Sequence, residues 1–218
     1  LSINDAFNSI AETDLSPSET LTLPLTILIL IVVFGALVAV GVPVILSVVS
    51  IVLAMGMTAI VGRFTDLSFF VVNMITMIGL AVGIDYTLFI VSRYREERRL
   101  GHEKIDAIEI AGGTATKAVL FSGATVVLAL MGMFLIPLTV FHSLGAGAVL
   151  AVVSAVAGTL TLVPALLGLL GDKIDWPRKP LKAAARKAEG DGFWGKVTHF
   201  VMGRPALFSI LAIALLAA

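Results

Sequence analysis

Long apolar runs separated by short charged segments set the pattern of this chain. Leu21 to Gly62 carries no charge over 42 residues, Leu67 to Ser92 is interrupted by Asp85 alone, and Ala118 to Gly171 is uncharged over 54 residues. A hydrocarbon layer about 30 Å thick takes roughly 20 residues of α-helix at 1.5 Å per residue. The first run is therefore long enough for two crossings, the second for one and the third for two. Gly41-Val42-Pro43 predicts the break in the first run, because proline suits the first turn of a helix and disfavours helix at the residue before it. Ile136-Pro137-Leu138-Thr139 predicts the break in the third. A further helix starts at Pro205 and has 14 residues before Ala218, about 21 Å, too short to cross and so truncated. The expected fold is an all-α, polytopic membrane bundle, with five complete transmembrane helices in residues 21–171 and a truncated sixth in residues 205–218.

Composition agrees with that pattern and excludes an ordinary soluble domain: 58% of residues are apolar, 14% are charged, and the mean hydropathy is +1.05. Lys and Arg total 15, as do Asp and Glu, so no global field draws the chain to nucleic acid, and the position of each charge matters more than the sum. Six basic residues fall in the segment Arg93 to Lys117, read as a loop, and eight in Lys173 to Arg204, while Arg63 is the remaining one. Alternating crossings put both rich segments on one side, which the positive-inside rule makes cytoplasmic. Residues 1–20 then lie outside, with Asp5, Glu12, Asp14 and Glu19 and no basic residue. Ile3, Phe7 and Ile10 at helical spacing predict a short amphipathic helix leading from an external domain. In the linker of residues 172–204, Phe193, Trp194, Val197, Phe200 and Val201 share one face, with Asp191 as a candidate N-cap. That is the pattern of an interfacial helix on the inner leaflet.

Asp85 is the most informative position. It lies eight residues before Arg93, about 12 Å along a helix, and so inside the hydrocarbon region nearer the inner face. An ionised carboxylate there costs several kcal/mol unless it is paired, hydrated or protonated, so it is expected to face other helices and to exchange a proton. Gly79, Gly83 and Tyr86 share a face, with Asp85 about 100° round from Tyr86. Gly79 and Gly83 form a small-xxx-small pair that admits a close neighbour, a pattern that more often means packing than a site. Tyr86 is either a donor to a carboxylate on a facing helix or a space-filler. Ser122 and Thr125, at i and i+3 on the next crossing, are candidate second partners of Asp85, although such hydroxyls usually bond their own i−4 carbonyls. No Lys or Arg lies in the apolar runs to pair with Asp85.

Other chemistries fail on their residues. Gly112-Gly113-Thr114-Ala115-Thr116-Lys117 lacks the glycine before Lys117 and the hydroxyl residue after it that a phosphate loop needs, so ATP is not expected. Gly145-Ala146-Gly147 lacks the third glycine of a dinucleotide fingerprint. The three histidines, His102, His142 and His199, fall in two loops and the linker helix without ligand spacing, so no metal is expected. There is no cysteine, and an intramembrane aspartyl protease would need a second carboxylate. No enzyme and no cofactor is expected.

Gly79-Leu80-Ala81-Val82-Gly83-Ile84-Asp85-Tyr86-Thr87-Leu88-Phe89-Ile90-Val91-Ser92-Arg93-Tyr94-Arg95-Glu96-Glu97 closely resembles the fourth transmembrane helix of MMPL-type members of the RND transporter superfamily. Phe64-Thr65-Asp66, Leu120-Phe121-Ser122-Gly123-Ala124-Thr125, Phe193-Trp194-Gly195 and Gly203-Arg204-Pro205 extend the resemblance over nearly the whole chain. It implies helices two to six of twelve, preceded by the end of the first external domain and followed by the central linker and the start of helix seven. It further implies that Asp85 and Tyr86 relay protons together with an Asp-Tyr pair on helix ten, in a second transmembrane half. The expected protein is multi-pass in a bacterial cytoplasmic (inner) membrane, exports lipids or hydrophobic molecules on the proton gradient, and has membrane lipids, protons and the second half as partners. The alternatives are a non-transporting lipid- or sterol-sensing or scaffold module, which the layout of helices two to six also resembles, and a protein-translocation helper of the same superfamily.

Overall fold

The structure, a computed structural model, describes residues 24–31, 36–65, 67–68, 70–174, 176, 199–205 and 208–209. Residues 24–31 are helical (α1), followed by α2 (Leu37–Val61), α3 (Phe70–Leu100), α4 (Lys104–Met131) and α5 (Thr139–Leu170). Short 3-10 turns, Gly132–Leu135 and Gly171–Lys173, follow α4 and α5. Four helical spans, Leu37–Val61, Phe70–Leu100, Lys104–Leu135 and Thr139–Leu170, are long and apolar enough to cross a membrane. They match the second to fifth predicted crossings. The first prediction is described only in part, as α1, and most of the sixth lies outside the described residues. So do residues 1–20 and most of the linker.

Two predicted boundaries are corrected. Pro43 does not start a helix; α2 begins at Leu37 after an extended Ala36 and runs straight through Pro43. The ring removes one donor from the ladder and crowds the carbonyl one turn back, and the helix continues past it. The segment Arg93 to Lys117 is not a loop, because α3 continues to Leu100 and α4 starts at Lys104. Charges mark where a membrane ends, not where a helix does. Arg93 reaches Glu96 at 2.6 Å and Glu97 at 2.7 Å, one turn away, which supports helix beyond the apolar run. Gly101 then ends it with φ 99. Its N–H donates to Arg98 O at 3.4 Å and the His102 N–H to Glu97 O at 3.3 Å, the paired bonds of a Schellman cap. His142 likewise lies in the first turn of α5, not in a loop.

α5 is the centre of the bundle and packs against α2, α3 and α4, while α2 and α3 also pack on each other. Lipid gives little force for helices to associate, so close van der Waals contact between small residues has to do it. A methyl placed on Gly83 would sit 2.7 Å from Ser47 Oγ and 3.0 Å from Ser47 Cα, so α2 and α3 approach this closely only because residue 83 lacks a side chain. Apolar residues fill the two ends: Leu46, Ile90, Tyr94 and Leu167 form the core near the basic end, and Val71 and Ile75 with the small Ala54 and Ala151 form it near the other.

At the basic end α5 is tied to both neighbours through its last carbonyls, which its own helix leaves without donors. Lys104 Nζ donates to Gly168 O at 3.0 Å, and Tyr94 Oη donates to Gly171 O at 3.5 Å. Residues 177–218 form a separate unit; within it residues 199–202 are helical, and Phe200 meets Phe208 edge-on with ring centroids 5.2 Å apart.

Candidate functional site

The middle of α3 carries the site residues, and its burial pattern decides where each points. Val71, Ile75, Gly79, Gly83, Tyr86, Thr87, Ile90, Val91, Tyr94 and Glu97 are buried, a stripe advancing by three or four residues. Met77, Ala81, Asp85, Phe89, Ser92 and Glu96 are exposed. At 100° per residue Asp85 lies 200° from Gly83, on the opposite side of the helix. The expectation that Asp85 faces helices of this bundle is therefore corrected. It points away from α2 and α5, and no described residue hydrogen-bonds or pairs with it. Gly79 and Gly83 serve α2 packing, against Ile51 and Ser47, and do not adjoin the carboxylate.

Tyr86, one residue on, turns the other way. It is 9% exposed, and its hydroxyl is buried with no hydrogen-bond partner among the described residues. Gly123 of α4 makes the room: a methyl there would lie 2.5 Å from Val156 Cγ2 and 3.6 Å from Tyr86 Oη. The hydroxyl thus ends where α3, α4 and α5 converge. A buried O–H without an acceptor is costly in a dry interior and is the kind of group a fold retains for use.

Ser122 and Thr125 flank Gly123 but are exposed. Thr125 Oγ1 donates to Phe121 O at 2.8 Å, the i−4 bond expected of it, and neither residue bonds to Asp85. The side of α4 that packs is the ladder Ala107, Ala111, Ala115, Val119 and Gly123, and residues 122 and 125 fall outside it. Gly112 to Lys117 is continuous helix within α4, so it forms no phosphate-cradling loop. Among the described residues no three His, Asp or Glu side chains come together to hold a metal.

Sequence reasoning missed three features. Ser47, Ser50 and Ser154 are buried hydroxyls in the centre of the bundle; Ser47 reaches Leu80 O at 3.4 Å, while Ser50 and Ser154 have no partner among the described residues. Serines in uncharged runs are legible, but their faces are not. Glu97 is buried at 3%, its carboxylate between Arg93 at 2.7 Å and His102 Nε2 at 3.4 Å. The signal was the i, i+4 spacing of Arg93 and Glu97. Gly123 as the seat of Tyr86 gave no signal beyond a small residue in a crossing.

A model of the MMPL family matches residues 2–208. The chain is 38% identical over 210 residues to the mycolic acid-containing lipids exporter MmpL11 of Mycolicibacterium smegmatis, an alignment covering 93% of this chain and 21% of that protein. The heme uptake protein MmpL11 of Mycobacterium tuberculosis is 34% identical over 206 residues, 91% of this chain and 21% of that protein. The trehalose monomycolate exporter MmpL3 of the same species is 31% identical over 232 residues, 95% of this chain and 25% of that protein. The chain therefore spans about a fifth to a quarter of the length of these relatives.

Proposed function

The chain belongs to the MMPL family of multi-pass membrane proteins, and on that premise we propose that it is the transmembrane half of a proton-driven exporter of lipids or other hydrophobic molecules in a bacterial inner membrane. In this reading Asp85 takes up and releases the proton and Tyr86 assists it. The observation that carries it is the division of labour between two consecutive residues: a lone carboxylate on the exposed side of α3, and beside it a buried hydroxyl with unused bonding capacity.

A bare Asp85 facing acyl chains would cost about 3 kcal/mol when ionised. A second bundle presenting its own Asp-Tyr pair against this face removes that cost by hydration or hydrogen bonding, and it makes the contact between the halves depend on whether Asp85 is charged. Neutralising Asp85 favours a dry, closed contact, and ionising it favours a wet, open one. One helical step, about 100°, separates this switch from Tyr86 in the bundle interior, so a rotation of α3 moves both. One elementary charge crossing 100 mV supplies about 2.3 kcal/mol, comparable with the cost being switched.

The test is Asp85→Asn in the intact protein, purified and placed in proteoliposomes with an imposed pH gradient. Gradient-driven export of a labelled lipid is expected to stop while the protein elutes and melts as the parent does. Export at the parental rate would overturn the proton role.

A further inference from the structure

Asp85 heads a file of side chains on α3. At 100° per residue Asp85, Phe89, Ser92 and Glu96 fall within about 60° of one another, and all four are exposed. The file opens at the basic end into a cleft of about 400 Å³ between α3 and α4, lined by Phe89, Ser92, Arg93, Glu96 and Thr114. Only Phe89 among these is apolar.

The two hydroxyls are set to accept hydrogen bonds. Ser92 donates its proton to Phe89 O at 3.0 Å and Thr114 to Ile110 O at 2.9 Å, so each hydroxyl has only lone pairs left for the cleft. The Arg93 guanidinium lies between two carboxylates, Glu96 at 2.6 Å and Glu97 at 2.7 Å. Glu97 is fixed: its side chain is 4% exposed and its other oxygen is 3.4 Å from His102 Nε2. Glu96 is 59% exposed and gives one oxygen to Arg93, so the other meets water. Among the described residues, the charged neighbours of Glu96 along α3 include Arg93, Arg95, Glu97 and, a turn further on, Arg99; the α4 residue in the cleft lining, Thr114, is uncharged.

A water-accessible cleft that holds a carboxylate with a free oxygen, and whose hydroxyls accept and do not donate, suits water carrying an excess proton. We infer that Glu96 is the group through which Asp85 exchanges protons with the aqueous phase at the basic end, with water in the cleft as the link and Arg93 as the positioning residue. This rests on the proton-relay reading of Asp85. Eleven residues of helix separate the two carboxylates, about 16.5 Å, which excludes direct transfer and requires the water. Phe89 is the apolar residue of the file between them.

Glu96→Gln tests it, in the intact protein in proteoliposomes with a trapped pH dye. Glu96 is exposed, so the change leaves folding intact, and Glu96→Asp is the control. At low buffer concentration proton flux through Glu96→Gln is expected to fall about tenfold or more, as when a general acid-base group is lost. Flux should recover as imidazole is raised on both sides, because a mobile buffer replaces the missing carboxylate, and Glu96→Asp should keep most of the parental rate. Two results overturn the inference: a Glu96→Gln flux equal to the parent at every buffer concentration, or a loss that neither imidazole nor Glu96→Asp restores, which marks a structural prop. Gradient-driven flux in Asp85→Asn would instead sink the relay reading itself, so the two failures are separable.

Discussion

Replacing Tyr86 by Phe deletes one oxygen from the bundle interior and keeps the ring, which makes it a sharp test of the site. The hydroxyl is buried and without a partner, in the space left by Gly123. In a water-soluble protein an unsatisfied buried hydroxyl costs about 1–3 kcal/mol. The reference state here is a helix already in lipid, equally poor in partners, so the stabilisation on deleting it shrinks to between zero and about 1 kcal/mol. Had the hydroxyl bonded a carbonyl across the interface, the same change would instead destabilise by about 0.6–2 kcal/mol. The sign is therefore the readout. Unfolding in mixed micelles of rising SDS content, followed by circular dichroism, should show Tyr86→Phe at least as stable as the parent. Proton-driven export, measured on the same preparation, should drop if the oxygen is used in transport. A destabilisation of about 0.6 kcal/mol or more would refute the reasoning, because it means the hydroxyl is already bonded.

Three further changes test the packing and the ties between helices. Gly83→Val puts side-chain atoms where Ser47 Oγ and Cα already stand at 2.7 and 3.0 Å, so α2 and α3 must separate; a loss of about 1–3 kcal/mol is expected in the same assay, whereas Gly113→Ala, with nothing within 4 Å of its added methyl, should be neutral or stabilise by up to about 1 kcal/mol. Lys104→Met keeps the stem of the side chain but removes the donor to Gly168 O; hydrogen exchange should show the amides of the last turn of α5 opening about tenfold more readily, for a charged hydrogen bond worth roughly 1.5 kcal/mol, with the rest of α5 unchanged.

The sequence was most informative where one physical rule acts alone. Uncharged length gave the crossings, and Pro137 with its neighbours gave the turn between α4 and α5, because a lipid solvent leaves the backbone few choices. It misled where two rules compete: Arg93 to Lys117 reads as a loop by charge but stays helical through one-turn ion pairs, and Pro43 reads as a start but is carried inside α2. At the site, Asp85 and Tyr86 were legible as residue types, and their angular separation followed from helix geometry. Which of the two faces the bundle was not, because that depends on Gly83 meeting Ser47 and Gly123 admitting Tyr86, contacts between residues 36 or more positions apart. Ser122 and Thr125 failed as partners of Asp85 for the same reason, since neighbours on one helix say nothing of what lies across from it.

The turn at Gly101 has a mechanical corollary. Three residues, 101–103, join α3 to α4, and the four steps from Leu100 to Lys104 reach at most about 14 Å when fully stretched, against the 8–10 Å that separates the axes of packed helices. The cap at Gly101 folds part of that length back, so lengthwise sliding of one rod past the other is short. A longer piston stroke must carry both as a single forked lever against α2 and α5, pivoting on the contact of Gly83 with Ser47, while insertions that the molecule tolerates belong at the looser bend around Pro137.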